Sequence, residues 1–69
     1  MPVITVQMTE GKTVAQKREI VRRFTDEFCR ICSVAPEVVT ILLQEIPNEH
    51  WAMGGKTKAQ TLEEKARSV

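Results

Sequence analysis

The sequence lacks three features that would each assign it to a large class of proteins. Two cysteines, in a chain without a recognisable signal peptide, do not suggest a secreted disulfide framework. The only sustained apolar run, VVTILL, is far too short to span a membrane. A formal net charge of +1 gives no reason to expect strong attraction to nucleic acid or to a membrane surface. We therefore expect a cytoplasmic protein whose partners are neither nucleic acids nor membranes.

The chain also has few metal ligands and is too short for a self-sufficient core. One histidine and two cysteines are too few for a structural zinc site, so we expect no bound metal. A domain of 69 residues buries only about 60% of the surface that its unfolded chain exposes. Since neither disulfides nor a metal is expected, oligomerisation is the remaining source of stability.

The N-terminal segment PVITVQM has the alternating pattern of a β-strand with one buried face, formed by Ile4, Val6 and Met8. Pro2 fits the first position of such a strand, because it has no N–H to donate to the sheet. A second interpretation concerns its nitrogen, which becomes a free secondary amine if Met1 is removed. Free α-amino groups titrate at about 7.7–8.0, and partial burial lowers the pKa of an amine. Such a group is suited to act as a general base.

A helix is predicted to begin at Thr13, after a turn around Gly11. Thr13 and Gln16 match a capping box, and apolar residues then recur at helical spacing along one face. The helix should end near Ser33, because Pro36 disfavours helical backbone at the residue before it. Charged residues occupy the other face, which we interpret as solvated.

The segment from Val38 to Ile46 predicts a second strand, nearly continuous in apolar character, as is typical of a strand buried on both faces. Pro47 ends it. A strand, a helix and a second strand indicate a right-handed crossover with parallel strands. The following EHWAMGGK predicts a loop or a short hairpin, with conformational freedom at Gly54 and Gly55.

These elements predict an α+β fold, with a β-α-β domain at residues 1–56 and a loosely held polar tail at residues 57–69. One helix covers only one face of a two-stranded sheet, whereas the pattern of the second strand requires both faces to be covered. A second copy or another chain should therefore cover the open face, in a dimer or a larger assembly.

Several residues, in this order and spacing, carry a resemblance to a known family: Pro2 before a short strand, Glu10-Gly11-Lys12, Gln16-Lys17, His50-Trp51 and Gly54-Gly55. From Pro2 to about Gly55 the chain resembles the 4-oxalocrotonate tautomerase family of the tautomerase superfamily. The resemblance implies β-α-β protomers that pair into a four-stranded sheet, with three dimers in a hexamer. It also implies a cofactor-independent enzyme with an N-terminal proline, exposed by removal of Met1, that moves a proton between the oxygen and a carbon of an enol.

The resemblance also implies roles for four residues. Pro2 would be the general base, and Lys12 would bind a substrate carboxylate where the family often has an arginine. Trp51 would wall the pocket and keep the surroundings of the amine apolar, which favours its neutral form. Thr40 aligns with a second substrate-binding arginine of the family.

Lys12 and Thr40 both differ from the arginines of the family, and these two differences bear on the identity of the substrate, which is expected to be a small carboxylate. Lysine lacks the planar fork with which arginine grips a carboxylate, and threonine carries no charge. A monocarboxylate enol such as phenylenolpyruvate is therefore favoured over a dicarboxylate dienol. Some members of the family are dehalogenases or hydratases, and others are subunits of mixed hexamers. The alternatives are therefore a dehalogenase or hydratase that acts on small unsaturated acids, or a weakly active subunit of a hetero-hexamer in place of a homo-hexamer.

Other motifs have simpler interpretations. The C-x-x-C at Cys29 and Cys32 falls near the end of the predicted helix, where the helix dipole disfavours a thiolate, so we interpret both as packing residues. His50 is interpreted as a loop histidine. A ribbon-helix-helix DNA-binding dimer also begins with a strand and a helix. However, that fold needs a second helix where VVTILLQEI predicts a strand, and a net charge of +1 is low for it.

Overall fold

A computed structural model describes residues 1–67, and it shows a parallel β-α-β unit followed by a short hairpin and a second helix. The main elements are β1 (Val3–Thr9), α1 (Val14–Cys32), β2 (Thr40–Ile46), β3 (Ala52–Met53), β4 (Lys56–Thr57) and α2 (Lys58–Arg67). Short 3-10 turns at Pro36–Val38 and Asn48–His50 precede β2 and β3. The predicted α+β class, the parallel strands and the C-terminal hairpin are confirmed.

The two long strands pair in parallel along their whole length, from Val3 opposite Thr40 to Thr9 opposite Ile46. The pairing begins one residue earlier, because the Thr40 N–H donates to the carbonyl of Pro2 at 3.0 Å. We predicted that the second strand would begin at Val38, which is two residues too early. The 3-10 turn over Pro36–Val38 occupies that position, and proline is well suited to begin such a turn because its φ angle is fixed.

Helix α1 begins and ends where the sequence predicts. The Gln16 N–H donates to Thr13 Oγ1 at 3.1 Å and the Thr13 N–H donates to Gln16 Oε1 at 2.9 Å, so the capping box is formed. At the other end Ser33 adopts a left-handed conformation with φ 55°, and its N–H donates to the carbonyl of Cys29. Local signals therefore define both ends of this helix.

Residues 1–67 of a single chain do not form a closed core. Among residues 1–67, no hydrophobic side chain is fully buried, and the buried set consists of Thr9 alone, which is 8% exposed. The radius of gyration is 16.2 Å, whereas a compact chain of this length would have about 11 Å. As predicted, α1 leaves one face of the sheet uncovered within residues 1–67, where Leu42 of β2 is 52% exposed. Burial of β2 on both faces in an assembly stays a prediction.

Helix α2 was not predicted, because the polar composition from Thr57 onward suggested a loosely held tail. Its start is fixed by a second capping box: the Gln60 N–H donates to Thr57 Oγ1 at 3.1 Å, and the Thr57 N–H donates to Gln60 Oε1 at 2.9 Å. The helix is also held to the hairpin by an ion pair between Lys56 Nζ and a Glu64 carboxylate oxygen at 2.7 Å. The boundary between residues 56 and 57 stays a prediction.

Neither of the helices within residues 1–67 has the length and apolar character needed to cross a membrane.

Candidate active site

A pocket of about 450 Å³ lies at the carboxyl end of β1, where the hairpin and α2 approach the sheet. Its volume is within the range typical of small-molecule sites. The lining combines apolar side chains with three lysines, and consists of Met8, Thr9, Lys12, Trp51, Met53, Lys56, Lys58 and Thr61. This composition suits a ligand that has a hydrocarbon part and a negative charge.

Two turns place Lys12 and Trp51 at this pocket. Lys12 follows Gly11, which has a φ of 113°, a conformation that side-chain-bearing residues rarely adopt. Trp51 follows the 3-10 turn Asn48–His50, and its carbonyl accepts the Lys58 N–H at 2.6 Å. The structure therefore brings together two of the residues to which the family resemblance assigns substrate binding.

The three lysines of the pocket differ in what their ammonium groups contact. Lys56 is paired with Glu64. Lys58 Nζ donates to the hydroxyl of Thr9 at 2.8 Å, in a part-buried position. Among the ion pairs of residues 1–67, none involves Lys12 or Lys58. The pocket therefore holds two positive charges that no carboxylate of the described chain neutralises.

Pro2 and Thr40 lie at the opposite end of the sheet. Their backbones are joined by the hydrogen bond that begins the strand pairing, Pro2 is half-buried, and Met1 before it is 90% exposed. The seven residues of β1 separate this end from the pocket by about 20 Å. One chain thus places Pro2 beside Thr40, and Lys12 beside Trp51, but does not bring the two pairs together.

Thr9 and Lys58 are pocket residues that the sequence analysis missed. Lys58 was assigned to a loose tail, and a tail gives no reason to place a side chain near β1. The available signal was the T-x-x-Q pattern at residues 57–60, which repeats the pattern of Thr13 and Gln16. This pattern is typical of a helix start, and it places Lys58 as the first helical residue directly after the hairpin.

The other motifs lie outside the pocket lining. Cys29 and Cys32 are free thiols in the last turn of α1, half-buried and exposed respectively. His50 is exposed in a 3-10 turn. Within residues 1–67, no group of three or more histidine, cysteine or acidic side chains is arranged to hold a metal ion.

The charged face of α1 forms local ion pairs, as expected for a solvated surface. Arg22 donates to both carboxylate oxygens of Glu19 at 2.8 Å, and Arg23 also donates to this carboxylate. These hydrogen bonds, that from Arg22 foremost, hold the pKa of Glu19 below its ordinary value. Arg30 lowers the pKa of Glu27 in the same way.

Comparison with known proteins identifies relatives over most of the chain. The family model described as tautomerase enzyme matches residues 2–61. The 2-hydroxymuconate tautomerase of Bacillus subtilis is 34% identical over 56 residues, which cover 81% of this chain and 90% of that protein.

Solved structures with this fold include two that are described as 4-oxalocrotonate tautomerases. One is from a study of the isozymes of Methylibium petroleiphilum, with a TM-score of 0.85, 36% identity, and coverage of 91% of this chain and 98% of that one. The other is from a heterohexamer 4-oxalocrotonate tautomerase of Chloroflexus aurantiacus, with a TM-score of 0.80, 30% identity, and coverage of 87% and 97%. The resemblance derived from the sequence is therefore confirmed.

Proposed function

Because this chain belongs to the family of tautomerase enzymes, we propose that it interconverts the enol and keto forms of a small unsaturated 2-oxo acid. Pro2 is the general base and acid in this proposal, Lys12 binds a substrate carboxylate, and Trp51 forms a wall of the pocket. The observation that carries the proposal is the family match from residue 2, together with a pocket that contains Lys12 and Trp51.

The proposed chemistry requires removal of Met1. In the full chain the Pro2 nitrogen is an amide without a basic lone pair. Removal of Met1 leaves this nitrogen as a secondary amine. Met1 is 90% exposed and so is accessible for removal. The neutral amine accepts the proton of the enol hydroxyl, and the resulting ammonium returns a proton to carbon as the carbonyl forms. The positive charge of Lys12 stabilises the negative charge that develops in between.

Pro2 of one copy must act in the pocket of another copy. The two ends of β1 are about 20 Å apart, which is too far for the amine to reach a substrate held by Lys12 of the same chain. The absence of any buried hydrophobic side chain within residues 1–67 supports assembly for an independent reason. We propose a homo-hexamer, and the heterohexameric relative from Chloroflexus aurantiacus makes a mixed assembly the alternative.

The decisive experiment compares two forms of the protein that differ only at the N-terminus. One is the mature form, whose intact mass shows that Met1 is absent, and the other carries one additional residue before Pro2. Ketonisation of phenylenolpyruvate and of 2-hydroxymuconate is followed by absorbance. We expect turnover by the mature form and almost none by the extended form. Equal activity of the two forms would overturn the role of Pro2, and inactivity of both on the two enols would overturn the proposed reaction.

A further inference from the structure

We propose that Lys58, positioned by Thr9, is a specificity-determining residue that binds a second acidic group of the substrate, while Lys12 binds the first. This inference rests on the proposed function, because it concerns ligands of the same pocket. Lys58 is the first residue of α2.

The charge balance of the pocket distinguishes Lys58 from Lys56. Lys56 already has a carboxylate partner in Glu64 at 2.7 Å. The hydrogen bond from Lys58 goes to a neutral hydroxyl, that of Thr9, and no ion pair of residues 1–67 includes Lys58. A half-buried ammonium group without a counter-charge is a favourable partner for an anion that enters the pocket.

The contact with Thr9 also fixes the position of the ammonium group. Thr9 is the most buried residue of the described chain, at 8% exposure, and it lies at the end of β1 where strand pairing holds the backbone. An ammonium group has three N–H donors, so two remain for a ligand after the bond to Thr9. Holding a long side chain in place before binding lowers the entropy lost when the ligand arrives.

The remainder of the lining is suited to an unsaturated carbon skeleton. Met8, Trp51 and Met53 provide apolar and aromatic surface between the polar groups of the same pocket. Apolar walls strengthen the interaction of the lysines with a charged ligand, because they reduce the local dielectric constant. A ligand with one acidic group would leave one of the two lysines, Lys12 or Lys58, without a partner.

This inference changes the expectation that followed from Thr40. An uncharged residue at that position indicated that the second cation was missing and that a monocarboxylate enol was favoured. Lys58 supplies a cation from a different segment of the chain. The pocket therefore has the charge to prefer a dicarboxylate without an arginine at position 40.

Binding of two unreactive acids tests the inference directly. Hexanedioate and hexanoate have the same six-carbon chain, and they differ by one carboxylate. Trp51 is the only tryptophan of the chain and lines the pocket, so its fluorescence reports binding there. We expect the mature wild-type protein to bind hexanedioate about ten- to a hundredfold more tightly than hexanoate, the effect of one charge-assisted contact.

The Lys58→Met variant should bind hexanoate with the affinity of the wild type, but it should no longer bind hexanedioate more tightly than hexanoate. Lys65→Met is the matched control, since it removes the same charge from the same helix at a residue outside the pocket lining, and it should keep the preference. Lys58→Arg restores a positive charge and should recover much of it. Circular dichroism and light scattering of each variant establish that fold and assembly are intact.

Two outcomes would overturn the role of Lys58: a wild-type protein that does not prefer hexanedioate, or a preference that persists in Lys58→Met. Kinetics then separate this inference from the proposed reaction. We expect Lys58→Met to raise KM for 2-hydroxymuconate about ten- to a hundredfold with little change for phenylenolpyruvate. A third outcome is that the wild type turns over neither enol, while it prefers hexanedioate and the Lys58→Met variant does not. In that case the proposed reaction fails and the acid-binding role of Lys58 stands.

Discussion

Lys12 is the residue at which the proposed reaction is most directly tested by substitution. In the proposed reaction, the charge of Lys12 holds a substrate carboxylate and stabilises the developing enolate, and Lys12→Ala removes that charge. We expect kcat/KM for an enol acid to fall about ten- to a thousandfold, equivalent to about 1.4–4 kcal/mol. The fold should survive, because Lys12 lies in an exposed turn, and Lys12→Arg should retain activity. Unchanged kinetics in Lys12→Ala would remove this residue from the site.

Pro2 offers a second test at the same scale, which concerns the kind of amine and its protonation. The rate of the mature protein should rise with pH through a single ionisation, because only the neutral amine accepts a proton. Pro2→Ala leaves a primary amine on a more mobile residue, and we expect it to retain partial activity with a lower kcat. A pH–rate profile of both proteins checks this. A profile that is flat and identical in the two would contradict the proposal.

The residues of the site were only partly predictable from the sequence. Lys12 and Trp51 were assigned through the family resemblance, and both lie in one pocket. Thr9 and Lys58 are 49 positions apart, and nothing in their local sequence indicates that they meet. Their contact depends on the path of the hairpin that carries α2 back to β1. Long-range contacts of this kind are set by tertiary packing and leave no local pattern.

Among the elements, α1 depends on its capping box in a way that can be measured. Thr13→Ala removes the acceptor for the Gln16 N–H, and we expect it to lower the free energy of unfolding by about 0.5–2 kcal/mol. Urea unfolding at a fixed protein concentration gives this value, since the stability of an oligomer depends on concentration. Thr13→Ser keeps the acceptor and serves as the control. Equal losses in the two variants would show that the cap contributes nothing.

The ion pairs of α1 make the stability of the folded protein depend on pH. The folded-state pKa of Glu19 lies below the ordinary value of 4.5 because Arg22 and Arg23 donate to its carboxylate. The stabilisation is therefore fully present above about pH 4.5 and is lost as the pH falls through the lower, folded-state pKa. We expect the difference in melting temperature between wild type and Glu19→Gln to shrink as the pH falls from 7 to 3. A difference that is independent of pH would contradict this origin.

At the level of elements, the sequence predicted those that carry complete local signals. Alternation defined β1, and a cap and a following proline defined the two ends of α1. The start of β2 was placed too early, because the apolar valines before Thr40 continue the pattern of a strand although their backbone follows a 3-10 turn. Helix α2 is not predicted because its capping signal, Thr57 and Gln60, is followed by a mainly polar sequence, whereas that of α1 is followed by apolar residues at helical spacing.

At the scale of the whole molecule, the separation of Pro2 from the pocket predicts complementation between two variants that are each impaired at a different end of β1. A chain with an additional residue before Pro2 lacks the amine but has an intact pocket, and Lys12→Ala has the reverse defect. Mixed assemblies, formed by unfolding and refolding the two together, should regain about a quarter of the wild-type sites if copies combine at random. Turnover of the mixture, compared with that of each variant refolded alone, measures this.

Light scattering provides the control for the mixing experiment, because it must show an oligomer in each preparation at micromolar concentration. A stable, folded monomer would contradict the requirement that a second copy covers the sheet. Full activity in a monomer would contradict a site shared between copies.

The need for assembly could be predicted from the sequence, whereas its arrangement could not. One helix and two strands leave a sheet face uncovered, and the structure shows that face exposed at Leu42. The number of copies and the identity of the partner chain depend on complementarity between surfaces. The pattern of apolar residues along one chain does not show which surfaces of two chains fit each other.

The position of Pro2 and the pocket at opposite ends of β1 also has a genetic consequence. In the proposed mechanism, each chain contributes a base to one site and a binding surface to another, so the two contributions can be lost independently. After a gene duplication, one copy could lose Pro2 and the other its pocket lysines, and a mixed assembly would keep working sites while neither gene alone suffices. An allele that damages only one end would, for the same reason, inactivate sites built partly from normal chains.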